Sequence, residues 1–477
     1  MSSANAAPRR KPEILAPAGS AESLKAALAA GADAVYFGLS EGFNARARAA
    51  NFTLDGLPET VARIHRAGAK AYLALNTLVF EPELEFVERV VRGAAAAGVD
   101  ALIVQDPAVC AIARRVCPEL HLHASTQMTV SSPEGAAFAR SLGCVRVVVP
   151  RELSTDQVRR FAEAAPTETE VFVHGALCVS WSGQCLTSEA WGGRSANRGE
   201  CAQSCRMPYA LVVDGEVRDL GDVKYLLSPK DLAGARAVPS LAEAGVTSLK
   251  IEGRQKGPQY VATATAAYRR LVDGMDVGAP LDPALVDAVR RDLADAALSY
   301  SRGFGDGFLA GSDHQTLVEG RFPKHRGVYL GEVTRVVGRR VEVVRDPAGR
   351  PWTGALAADA PRRAPKGAPA SALHGFGGAD DAATGPALAP VQPRAGMGVV
   401  FDDGAPEDKH EPGGPLFAVD ATPRGWIFVF GDPGPDLRRV APGQKAWLSG
   451  DPAIGRGVKK LLDDPEPTGR LPVDLVV

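Results

Sequence analysis

Four of the chain's seven cysteines, Cys178, Cys185, Cys201 and Cys205, fall within one stretch, Glu170–Arg206, EVFVHGALCVSWSGQCLTSEAWGGRSANRGECAQSCR. Thiolates are soft donors that suit zinc or iron–sulfur clusters. Six residues separate the first two cysteines, fifteen the second from the third, and three the last two. Structural zinc loops usually carry a close pair at each end. Only Cys201 and Cys205 are close here, so spacing alone leaves a cluster, a structural zinc ion and unligated thiols open. His174, just ahead of the loop, is a further candidate. Beside Cys178 it would make the thiolate–imidazole pair of a cysteine peptidase; it could also carry a proton or serve as a core histidine. Arg194, Arg198 and Arg206 interleave with the last cysteines. They could offset a cluster's charge or receive RNA phosphate, or they could be solvated surface. Cys110, Cys117 and Cys144 sit among apolar neighbours and read as small core residues. No H-E-x-x-H zinc motif is present, and the stretch around Gly183 is not a G-x-S-x-G nucleophile motif.

The stretch opens as a strand and breaks at Gly175 into Gly-, Ser- and Asn-rich sequence without helical or strand periodicity. A loop of that length inside a compact domain needs an internal constraint, which metal ligation would supply. Around it, short apolar strands alternate with amphipathic helices. Strands are expected at 13–16, 34–38, 70–75, 101–105, 121–124, 145–149, 171–174 and 248–252, and helices at 57–67, 82–97, 107–116, 133–142, 155–164 and 259–272. Ser228-Pro229-Lys230-Asp231-Leu232 reads as the opening of another helix. The pattern predicts an α/β fold, a (β/α)8 TIM-like barrel, with a doubly wound open sheet as the structural rival. A barrel would bring its strand ends to one face, gathering Asn76, Gln105, Asp106, Ser125, Thr126, Gln127, Arg151, Glu152, His174, Glu252 and Arg254. Among these, Asp106, Glu152 and Glu252 are candidate general acids or bases, although charged strand ends also make ordinary ion pairs.

The layout expected from these patterns is a disordered tail at 1–11, the barrel at 12–275, and a helical extension and linker at 276–325. A β-barrel-like domain follows at 326–477, interrupted by a disordered Ala-, Pro- and Gly-rich insertion at about 355–393. A formal net charge of -2 excludes a protein that coats nucleic acid non-specifically, while leaving room for a local basic patch. No apolar run reaches the length of a membrane span, and the N-terminus has no apolar signal segment. The expected compartment is the cytoplasm, where clustered cysteines are metal-binding or redox-active more often than disulfide-bonded.

Glu170, Phe172, Gly175, Cys178, Gly183, Cys185 and Ser188 resemble the signature of the collagenase-like peptidases, family thirty-two of unassigned catalytic type; Thr187 replaces the usual aliphatic residue. The resemblance runs from LAPAGS through GADAVYFG, VQDP, LHASTQ and VPREL to SLKIEGR, and more weakly into HRGVYLGEV. Despite the family's name, it implies a hydroxylase of RNA pyrimidines with a cysteine-bound 4Fe-4S cluster and prephenate as co-substrate. AWGGRSANRGECAQSCRMPY is most similar to the branch that forms 5-hydroxycytidine in 23S ribosomal RNA. The tRNA uridine hydroxylases and a peptidase are the alternatives. That ribosomal-RNA branch is usually longer, so its C-terminal portion is expected to be absent here. On this reading Cys178, Cys185, Cys201 and Cys205 hold the cluster, His174, Glu252 and Asp106 serve catalysis, and Arg194, Arg198 and Arg206 bind RNA.

Overall fold

The structure is a computed structural model and describes residues 10–45, 49–345, 388–408 and 410–463. Residues 1–9 of the expected tail and 355–387 of the expected insertion lie outside the described residues. Seven parallel strands follow one another: β1 (Glu13–Pro17), β2 (Ala34–Phe37), β3 (Lys70–Leu75), β4 (Ala101–Val104), β5 (His121–Ala124), β6 (Cys144–Val148) and β7 (Glu168–Ala176). An eighth, β8 (Ser248–Ile251), pairs in parallel with β7 on one side and β1 on the other. That double pairing closes the ring and rules out the open sheet. The chain forms a (β/α)8 barrel.

Helices α1 (Ala21–Ala29), α2 (Leu57–Arg66), α3 (Leu84–Ala96), α4 (Pro107–Val116), α5 (Pro133–Ser141), α6 (Thr155–Ala164), α7 (Val238–Glu243) and α8 (Pro258–Gly274) surround it. Their starts are written in the sequence. Ser20, Ser132 and Ser154 each accept a first-turn N–H, and Pro107 and Pro133 occupy positions that need no donor. The apolar layer between strands and helices is the main core.

The barrel's interior is less ordinary. Beside Leu15, Tyr36, Tyr72 and Ile103 it holds a layer of buried charge. Glu170, 0% exposed, receives Lys250 Nζ at 2.7 Å and Arg146 Nη1 at 3.4 Å. Arg146 also binds Glu13 and, through Nε at 2.8 Å, Glu168. Pairing of this kind is what allows ions to persist out of water.

After β7 the chain departs from expectation. Ser228–Leu232 does not open a helix; Tyr225–Pro229 and Asp231–Ala233 are extended, and the second lies antiparallel on the end of β7. The physical reason is Asp231. Its buried carboxylate accepts the backbone N–H of Arg302 at 2.9 Å and pairs with the Arg302 guanidinium, a contact seventy-one residues away that outweighs the local Ser-Pro signal. The hairpin Leu211–Val213 with Glu216–Arg218 turns through Asp214 and Gly215, both at positive φ, which suits a two-residue β-hairpin turn.

A long helix, α9 (Pro283–Ser299), leads to a second barrel. Six antiparallel strands, β9 (Val328–Val337), β10 (Arg340–Arg345), β11 (Gly398–Asp402), β12 (Gly413–Thr422), β13 (Gly425–Phe430) and β14 (Lys445–Gly450), close in the order β9-β10-β13-β12-β11-β14 around their own core. The end of the expected insertion is packed: Leu388 touches the main core, Val391 the second, and Ala389 N–H donates to Arg290. The final described helix, α10 (Pro452–Asp463), returns to α1 and α8. At the junction His325 stacks on Tyr300 at 5.4 Å, accepts the Ser301 N–H at Nδ1, and donates from Nε2 to the Ser449 carbonyl of β14. No helix of the described residues is long and apolar enough to cross a membrane.

Candidate functional site

The C-terminal ends of the strands open onto one cavity of about 240 Å3. Of the residues expected at strand ends, it brings together Asn76, Ser125, Thr126, Gln127, Arg151, Glu252 and Arg254. All four loop cysteines stand in the same wall. Gln105, Asp106, Glu152 and His174 do not line it.

The loop reaches the cavity because two glycines allow it. Gly175 (φ +100°) is the last residue but one of β7; a Cβ there would sit 2.5 Å from the Glu252 carbonyl oxygen and 2.7 Å from the Tyr260 hydroxyl. Gly183 (φ +81°) lies against Gln127 and Thr129, where a Cβ would approach within 2.3 Å of a side-chain oxygen. Only glycine tolerates both the left-handed backbone and the approach. Between them and the last cysteines run a short helix, Thr187–Gly192, and two single turns, where the sequence predicted only irregular loop.

The seven cysteines are free thiols. Cys110 and Cys144 are buried core residues as expected, whereas Cys117, expected in the core, is only half-buried at the end of α4. In the loop, Cys178 and Cys185 lie within hydrogen-bonding reach of each other. That contact holds the Cys185 thiol down to about 4, and the same contact with burial pushes Cys178 up. Burial pushes Cys205 up as well. Thr187 Oγ1 lies 3.0 Å from Cys185 Sγ, and the Gln203 N–H donates to Cys201 Sγ at 3.4 Å. A single tetrahedral zinc ion needs every sulfur about 2.3 Å from one point. Among the described residues no three His, Cys, Asp or Glu side chains gather as one ion requires. The four thiols are the residues able to hold a larger centre.

Cations dominate the rest of the wall. Arg151 pairs with Glu252 at 2.7 Å and lies 3.8 Å over the Phe172 ring. Lys250, 3% exposed, reaches in from Glu170 over Tyr36 at 4.5 Å. Arg254 donates to Asn44 at 3.0 Å. Lys256 lies 3.0 Å over the Tyr300 ring, and burial holds its ammonium down to about 8. Arg206 donates to Ser228 Oγ, Pro229 O and Leu177 O. Sequence reasoning missed Lys250, Lys256, Tyr300 and Arg302. The segment KIEGRQK at the eighth strand end carried a signal for the two lysines; nothing local pointed to Tyr300 or Arg302, which arrive from beyond α9.

Two expected catalytic residues are placed elsewhere. Asp106 caps α4, accepting Ala108 N–H at 2.8 Å and Val79 N–H at 3.0 Å, so both carboxylate oxygens are committed to backbone. The pair Asp106-Pro107 was itself the signal of a helix start. His174 is enclosed by Tyr260, Tyr268 and Phe304, and burial lowers it to about 4, so it stays neutral at physiological pH. It is a wall behind the site, outside the cavity that Cys178 faces. Glu252 alone of the three stands in the cavity, paired with Arg151.

The three expected RNA-binding arginines separate similarly. Arg194 is exposed, and Arg206 is bound into the cavity wall. Arg198 is held by Glu83 at 2.5 and 2.8 Å and lies 4.6 Å over Phe80, tying the cysteine loop to the segment after β3. Arg198→Glu should therefore destabilise the fold by roughly 1 kcal/mol. Adding Glu83→Arg should restore most of the loss in urea unfolding. A loss that the double swap leaves untouched would place the role of Arg198 outside this pair.

Residues 19–319 match the profile of Peptidase family U32. The chain is 40% identical over 336 residues to the 23S rRNA 5-hydroxycytidine C2501 synthase of Escherichia coli K12, covering 69% of this chain and 50% of that protein. It is 40% identical over 269 residues to tRNA hydroxylation protein P1 of Bacillus subtilis 168, covering 55% and 64%. A protein of Porphyromonas gingivalis W83 named collagenase is 38% identical over 312 residues, covering 63% and 73%. The chain thus spans half the length of the first relative and under two thirds of the second.

Proposed function

The chain belongs to peptidase family U32, and from that premise we propose that it is an RNA pyrimidine hydroxylase of the cytoplasm that forms 5-hydroxycytidine in 23S ribosomal RNA or its precursor. We take its cofactor to be a 4Fe-4S cluster on Cys178, Cys185, Cys201 and Cys205, with prephenate as co-substrate. The observation that carries the reading is the convergence of four loop thiols on the cavity at the barrel mouth. A four-iron centre uses one thiolate per iron, and four cysteines of one loop stand in this wall to supply them. The N–H and hydroxyl groups at Cys201 and Cys185 are the kind of contacts that tune such sulfurs. When bound, the cluster would supply one-electron chemistry.

The protein's own residues do the rest. A paired base buries its edge and both faces, so the target must enter unstacked. Trp181 stands at the cavity mouth, 45% exposed, and offers a ring on which an extruded base can stack. Asn76 links Ala45 to Ser125 and thereby fixes an amide and a hydroxyl in the cavity wall. The Arg151–Glu252 pair places a carboxylate within the cavity as the candidate proton acceptor. A cysteine peptidase is disfavoured by His174, whose ring faces aromatic side chains and not Cys178.

The test is nucleoside mass spectrometry of RNA from cells with and without the gene. Loss of 5-hydroxycytidine from ribosomal RNA is the expected result. Loss of 5-hydroxyuridine derivatives from tRNA instead would move the chain to the tRNA hydroxylases. No change in either, together with purified peptide-cleaving activity, would overturn the proposal.

A further inference from the structure

Two cations in the cavity wall make no direct ion pair, although Asp231 attracts both and Glu252 attracts Lys256 from farther off. Lys256 and Arg206 both line the cavity. The ammonium of Lys256 rests on the Tyr300 ring at 3.0 Å, and among the described residues it touches no carboxylate. The three acceptors of Arg206 are all neutral: a serine hydroxyl and two backbone carbonyls. A guanidinium has five N–H donors, so some remain to face the cavity. The two nearby carboxylates are already committed, Asp231 to Arg302 and Glu252 to Arg151. Arg302 also lines the cavity, which concentrates positive charge in one corner beside Tyr300.

Holding like charges together in a partly dry wall is unfavourable unless an anion completes the set. An ammonium seated on an aromatic face keeps its N–H groups available on the open side. A guanidinium beside it can grip two oxygens at once. We propose that Lys256 and Arg206 form an oxyanion subsite, which takes a carboxylate of a small organic acid or the phosphate of the bound nucleotide. The subsite rests on the same cavity as the RNA reading, yet its ligand chemistry follows from the wall alone.

The test is calorimetry on the full chain purified without oxygen, titrated separately with malonate and with cytidine 5′-monophosphate. Wild type should bind at least one of them. Lys256→Gln should weaken that binding about tenfold or more, the loss of one charge-assisted contact, and Lys256→Arg should retain it. Circular dichroism and iron content establish that the variants are folded and loaded. A loss confined to malonate assigns the subsite to a small acid, and one confined to the nucleotide, with cytidine unaffected, assigns it to phosphate. If wild type binds neither probe, or Lys256→Gln binds as tightly as wild type, the subsite does not exist. If Lys256→Gln loses iron while binding the anion normally, the charge serves the thiol centre and the inference fails. The RNA reading is judged separately: Lys256-dependent anion binding in a protein whose deletion alters no nucleoside would refute the hydroxylase and leave the subsite standing.

Discussion

A Cys201→Ser chain purified without oxygen should lose most of its iron and sulfide, and the broad visible absorbance with them. Serine keeps the size of the side chain but replaces a soft thiolate with a hard hydroxyl that stays protonated, and iron–sulfur centres select the former. Cys201 is the informative member because of where it stands. It follows Gly199, whose Cβ position lies 2.4 Å from the Asn44 carbonyl oxygen, so the backbone there is pinned and cannot swing a substitute donor inward. Its sulfur also accepts the Gln203 N–H, a contact oriented by the loop itself. Ligation and loop order are coupled, so the variant's Gly183–Arg206 segment should become the first site of limited proteolysis. A Cys201→Ser protein with full iron content and an unchanged spectrum would remove Cys201 from the ligand set.

The second large effect lies beneath the cavity. Glu170→Ala should destabilise the protein by about 3–5 kcal/mol, because it leaves the buried Lys250 ammonium without its carboxylate. Lys250, 3% exposed, loses its 2.7 Å partner, while Arg146 loses its 3.4 Å contact but keeps Glu13 and Glu168. Domains are commonly stable by only about 5–15 kcal/mol, so the urea midpoint should fall by a large fraction. Glu170→Gln, which keeps an acceptor, should cost less. Combining Glu170→Ala with Lys250→Met should recover part of the loss, since the uncompensated ammonium is then gone. A single variant within 1 kcal/mol of wild type would mean that water or rearranged side chains already screen this layer.

These two residues show what the sequence discloses and what it withholds. The strands could be placed to within a residue or two at most ends because β-strands and helices alternate with clear apolar periodicity, though β7 runs on through Gly175 to Ala176. The thiols could be found because cysteine is rare and chemically specific. Glu170 and Lys250 could be named as strand residues, but their meeting depends on β7 and β8 becoming neighbours across the barrel's closure, with Lys250 level with Phe172. Local pattern carries no such register. Asp106 illustrates the opposite case: an acidic residue at a strand end suggested catalysis, while its own neighbour Pro107 already announced a cap. The helix expected at Ser228 failed for want of knowledge of Arg302, whose guanidinium decides the path of Asp231 from far along the chain.

The stack at the junction has a consequence for how the protein can change over generations. Lys256 and His325 both rest on the Tyr300 ring, and His325 is anchored to the Ser449 carbonyl of the smaller barrel. The second barrel is therefore a buttress to the first one's binding wall. A replacement of the second barrel would have to bring an acceptor to His325 Nε2 to keep this stack in place. Substitutions at Tyr300 or His325 should therefore be felt in both barrels.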